Sequence, residues 1–171
     1  MFLTERKQKM NPQSLPFVLS ALCGLIAWGA VTWKYIWPQL QNKTLQSAVE
    51  PILYLHAFRF IGLAFIARGT VGPDMPMAWA IPAAYGDVIA ALLAAVTLLF
   101  ANTKLIKPLL WIFSIWGLFD LIRAASTGPI YDIPPHLYGT YFIPILGVPL
   151  LMWTHIVIIR LLLRKESKVS I

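Results

Sequence analysis

Six ionisable side chains within the apolar stretches of this 171-residue chain could form one polar cluster: His56, Arg59, Asp87, Asp120, Arg123 and His155. Arg59 is at the centre of the run Pro51 to Ala67 (PILYLHAFRFIGLAFIA), which holds no other formal charge. A charge at the middle of a membrane span costs at least about 3 kcal/mol on insertion scales, so it normally faces a bundle interior and has a partner. Asp87 and Asp120 are the acids inside apolar segments and are the available counter-ions. Three chemistries fit such a set. Carboxylates and histidines at membrane depth are the usual carriers of proton relays. Two histidines on different helices, here His56 and His155, are the pattern of axial ligands to a b-type haem. An arginine with a carboxylate is also a plain buried ion pair, which specifies helix register more than it stabilises.

Other reaction classes find no support. There is no Ser-His-Asp spacing, Walker sequence or His-Glu-x-x-His. No nucleophile stands out near the acids, which weakens a lipid-modifying enzyme, and no reaction is assigned. His136 with Asp132 offers two metal ligands and no third. Cys23 is the single cysteine; without a pairing partner it reads as a small buried apolar side chain.

The elements that must hold these residues follow from composition. The chain is 58% hydrophobic and 12% charged, against about 25% charged in soluble domains. Its mean hydropathy is +0.71. That leaves too little polar surface for a water-soluble globule. Five apolar segments, roughly 15–37, 51–68, 80–101, 107–125 and 139–163, are each long enough, or nearly so, for about 30 Å of hydrocarbon. The runs are continuous and not alternating, so the expected fold is all-α, a polytopic transmembrane helix bundle of about five spans. The expected organisation is a basic tail at 1–14, one helical membrane domain at 15–163 and a basic tail at 164–171. The first apolar run is too long for a signal-peptide core and reads as a retained anchor.

The connections are residues 38–50, polar but helix-compatible; 69–79, with Gly and two Pro; a tight turn at 102–104; and the Pro-rich 126–138. Trp33, Trp37, Trp79, Trp111 and Tyr138 fall near segment ends, where aromatic belts form. Pro144 and Pro149 predict a kink or opening in the fifth span, and Pro82 marks the start of the ordered part of the third.

Neighbouring spans alternate direction, so depth can be compared along them. His56 is one turn from Arg59 on the same face. Asp87 and Asp120 share a depth about a turn to the other side, with Arg123 beside Asp120, and His155 returns to the depth of His56. Two polar layers are expected, with Arg59 between them. In the third span Asp87, Ala91, Ala94 and Ala95 share a face, and Gly86 with Ala90 permits close helix approach.

The net charge of +7 is a membrane signal here, because about half the basic residues lie in or beside the two tails. A lipid bilayer is the expected partner and nucleic acid is not. A homo-oligomer or another membrane protein also fits so small a chain. Eight Lys and Arg fall on the C-terminal side of a five-span chain and five on the N-terminal side, although three precede the first span. The positive-inside rule then puts the C-terminus inside.

The segments His56-Ala57-Phe58-Arg59-Phe60-Ile61-Gly62, Pro82-Ala83-Ala84-Tyr85-Gly86-Asp87, Gly117-Leu118-Phe119-Asp120, Ile143-Pro144, Val148-Pro149 and His155 resemble a family of small polytopic bacterial membrane proteins with no assigned activity. The likeness spans about residues 51–163. It implies a bacterial cytoplasmic membrane and singles out Arg59, Asp87, Asp120 and His155 for a shared role. The expected function is accordingly an integral membrane protein with a buried Arg/Asp/His cluster, structural or accessory in role and without a cofactor. A proton-linked small-solute transporter is the alternative, and a b-haem or quinone-linked redox protein the further one.

Overall fold

The computed structural model describes residues 14–164. The basic tails expected at 1–14 and 164–171 thus lie outside the described residues, apart from Ser14 and Arg164. Among the described residues, five helices are long and apolar enough to cross a membrane: Leu15–Leu40, Leu45–Phe65, Met77–Leu99, Ile106–Tyr131 and Tyr138–Leu163. The architecture is all-α, and by helix length and composition this is a multi-pass membrane protein.

The second span departs most from the sequence expectation. It begins at Leu45, six residues before the apolar run, because Thr44 takes an extended backbone and its hydroxyl accepts from the Ser47 amide. Gln46, Ser47 and Glu50 are therefore helical. The polar stretch read as a connection shrinks to a turn, and Pro51 falls inside the helix. The α-helix runs only over Leu45–Ala57; Phe58–Phe65 winds tighter as a 3-10 helix. At 3.0 residues per turn, positions three apart eclipse. The buried residues of this stretch are Arg59, Gly62 and Phe65, and His56 continues the same line. The greater rise of 3-10 winding also lets 21 residues reach about 35 Å.

Two prolines shape the first and fifth spans. The first is α-helical over Leu15–Val31, widens into a π-helical turn at Thr32–Ile36 and ends on Trp37–Leu40. The fifth begins with a 3-10 turn at Tyr138–Tyr141, widens at Ile143–Gly147 and continues as Val148–Leu163. Each wide turn is followed within two residues by a proline, Pro38 or Pro149. A proline has no N–H for the carbonyl four residues back, and its ring displaces that carbonyl. The Ile145 carbonyl freed in this way packs against Gly24 of the first span, where any Cβ would overlap it. Pro82 does not mark a start, because the third helix already begins at Met77.

The third span lies between the second and the fourth. The fifth packs on the fourth and on the first, and the first turns most of its surface outward. Two apolar clusters close the bundle. One, around Leu53, Leu110, Phe113 and Ile158, lies toward the C-terminal end; the other, around Phe65, Trp79, Ile133 and Leu137, lies toward the opposite end. Trp79 is buried, not part of a belt: it meets Phe65 edge-on, and its indole N–H donates to the Ala124 carbonyl at 3.0 Å. Cys23 is exposed on the first span, contrary to the buried position expected, and Ala95 also turns outward.

Candidate functional site

Between the two apolar clusters lies a polar layer centred on Arg59, which is 1% exposed. Its guanidinium meets three other spans. Nε donates to Asp87 Oδ1 at 2.7 Å, with Nη2 at the same distance from that oxygen. Nη2 also donates to Asp120 Oδ2 at 2.9 Å. Nη1 lies 3.4 Å from His155 Nε2. Asp120 is held from its other oxygen by Arg123, Nη2 to Oδ1 at 3.1 Å, one turn along the same helix. Two guanidinium charges thus face two carboxylates, and the cluster balances its own charge.

His56 is tied into the layer through a residue that sequence reasoning missed. Its Nε2 is 2.8 Å from Thr154 Oγ1. The threonine hydroxyl has one proton, directed at the Leu150 and Leu151 carbonyls at 3.0 Å, so it accepts from His56 Nε2–H. An arginine can only donate, so His155 Nε2 accepts and its neutral ring carries the proton on Nδ1. The two imidazole rings touch, 4.3 Å apart between centroids and tilted by 56°, and both touch Phe113. Among the described residues neither Nδ1 has a hydrogen-bond partner, and the buried Ser114 hydroxyl has none either. One ring therefore offers an unused acceptor and the other an unused donor.

Three glycines make the layer possible. A Cβ at Gly62 would overlap the Asp87 side chain, one at Gly86 the Asp120 carboxylate, and one at Gly117 both the His155 ring and Arg59 Nη1. Each brings its own helix backbone against a polar group on another span. Gly62 and Gly117 were missed as site residues. The signal that finds them is position: both lie three residues from an ionisable residue on their own span, and Gly86 is next to one. Trp116 adds a further tie, its indole N–H donating to the Gly86 carbonyl at 3.2 Å.

The layer is reached from one side by a crevice. It has a volume of about 270 Å³ and is lined by Arg59 and Asp87 and otherwise by apolar residues, among them Ile61, Phe142, Gly147 and Leu151. The wide turn of the fifth span forms its far wall. Asp132 and His136 lie apart from this layer, in the turns before the fifth span. Among the described residues no group of three or more His, Cys, Asp or Glu side chains is placed to hold a metal ion.

Residues 16–163 match the model of a family described as "Domain of unknown function (DUF8737)", and the chain belongs to that family. No curated protein and no solved structure matches it.

Proposed function

We propose that the chain is a structural or accessory membrane protein in which the Arg59 layer sets the mutual arrangement of the spans. The observation that carries this reading is the reach of one guanidinium on the second span to side chains of the third, fourth and fifth. Replacing a buried ion network by apolar residues is often neutral, whereas removing one member costs about 3–5 kcal/mol because a charge is left without a partner. A balanced cluster of this kind fixes a unique packing. The Arg59→Gln variant should therefore express poorly and melt earlier in detergent. An Arg59→Gln protein that folds and melts like wild type while a cellular phenotype vanishes would overturn the reading.

A second reading, proton-linked transport of a small solute, is favoured by one observation: the Asp87 side chain reaches the crevice while the polar chain continues inward through Arg59 to His155. Asp87→Asn and Asp120→Asn should then abolish proton movement in proteoliposomes, and unchanged movement in both would rule it out. A b-haem held between His56 and His155 is disfavoured by the direct contact of their rings, 4.3 Å between centroids.

On the same reading the protein belongs to a bacterial cytoplasmic membrane with its C-terminus inside. Support comes from the cations at the C-terminal end of the bundle, where Lys34, Lys43, Lys104, Lys107 and Arg160 fall and Arg164 donates to the Gln41 and Lys43 carbonyls.

A further inference from the structure

The crevice beside Asp87 combines features that a purely structural layer does not need. Its walls are apolar, and its polar contribution comes from one ion pair. Within that pair the exposed member is the carboxylate: the Asp87 side chain is 12% exposed and that of Arg59 0%. Arg59 engages only Oδ1 of Asp87, and Oδ2 accepts no hydrogen bond among the described residues. The mouth is formed by Ile61 and Phe142, both well exposed on segments that lie in the apolar band. An exposed side chain at that depth faces lipid, so the crevice is entered sideways from the bilayer. The far wall is the π-helical turn Ile143–Gly147, a type of distortion that recurs at functional sites. A Cβ at Gly147 would meet nothing within 4 Å. The glycine there is thus not demanded by packing, unlike Gly62, Gly86 and Gly117.

We propose that this crevice is a lateral binding site for the hydroxyl end of a neutral, bilayer-dissolved amphiphile, a long-chain or isoprenoid alcohol. The head must donate, because the free valence is a carboxylate oxygen. It must be uncharged, because Arg59 and Arg123 already balance Asp87 and Asp120 and a further cation would break that balance. The volume lies just below the usual range of about 300–1,000 Å³ for ligand pockets. The hydroxyl and the first part of a chain fit inside, and the remainder of the molecule stays in the lipid. The proposal goes beyond the structural role of the layer and does not depend on proton transport.

The test uses the full chain in phosphatidylcholine vesicles with a photoactivatable, click-tagged hexadecanol. Labelling should concentrate on the peptides that carry Ile61, Phe142 and Leu151. Unlabelled dodecanol should compete, and dodecane should compete roughly tenfold less well, the factor given by one hydrogen bond to a charged acceptor. Gly147→Leu, which fills the crevice, should remove the concentrated label while the melting temperature stays within a few degrees. Labelling spread evenly over the outward faces of all five spans would overturn the proposal. So would dodecane competing as well as dodecanol, a comparison made on wild-type protein that holds even if Gly147→Leu misfolds. Stronger competition by dodecylammonium than by dodecanol would overturn the neutral head.

Discussion

Arg59 and Asp120 are 61 residues apart in sequence, and Arg59 Nη2 sits 2.9 Å from Asp120 Oδ2 at a point where both side chains are almost fully buried. That contact joins the second span to the fourth across the third, and it passes the third span at Gly86. A Cβ on Gly86 would fill the space that the Asp120 carboxylate occupies. The ion pair and the glycine are therefore parts of one arrangement: the charge needs the close approach, and the close approach needs the missing side chain.

Glycine substitutions should separate this arrangement from ordinary helix packing. Gly117→Ala places a methyl against the His155 ring and Arg59 Nη1, and such overpacking costs about 1–3 kcal/mol. Gly147→Ala meets open space and should be neutral or slightly stabilising, because alanine restricts the unfolded chain. Unfolding in mixed detergent micelles checks the order. Equal losses at both positions would contradict the steric account.

The two touching histidines should be opposite tautomers. His56 gives its Nε2 proton to Thr154, and His155 accepts at Nε2 from Arg59. Nitrogen chemical shifts of selectively labelled histidine should therefore show one neutral ring protonated at Nε2 and one at Nδ1. Thr154→Val should alter the His56 signal and leave that of His155 nearly unchanged. Two rings of the same tautomer in the wild-type protein would contradict the bonding scheme.

The five apolar runs are legible because each is long, continuous and bounded by turn residues or charge, and the helices follow from the need to satisfy the backbone in lipid. The start of the second span is not legible from hydropathy: Gln46, Ser47 and Glu50 are polar yet helical, and the signal lies in the Thr44 cap. The 3-10 stretch is hidden for a different reason. A line of His56, Arg59, Gly62 and Phe65 suits either winding over a short distance, so the pattern alone does not choose between them. The wide turns have a readable cause in Pro38 and Pro149, although proline predicts a distortion without saying which kind. Residue types and relative depths put Arg59 near both acids. Its simultaneous hold on Asp87, Asp120 and His155, the Thr154 partner of His56 and the crevice beside Asp87 depend on side-chain directions that no one-dimensional pattern carries.

The claim that Arg59 is the keystone of the bundle is tested most directly by a double-mutant cycle of Arg59→Gln and Asp120→Asn, read as unfolding free energy in mixed micelles. The account predicts that each single change costs about 3–5 kcal/mol, since each strands a buried charge. It also predicts that the double variant costs less than their sum by about 1–3 kcal/mol, the coupling expected of residues in one network. Single changes within about 0.5 kcal/mol of wild type, or losses that simply add, would contradict it.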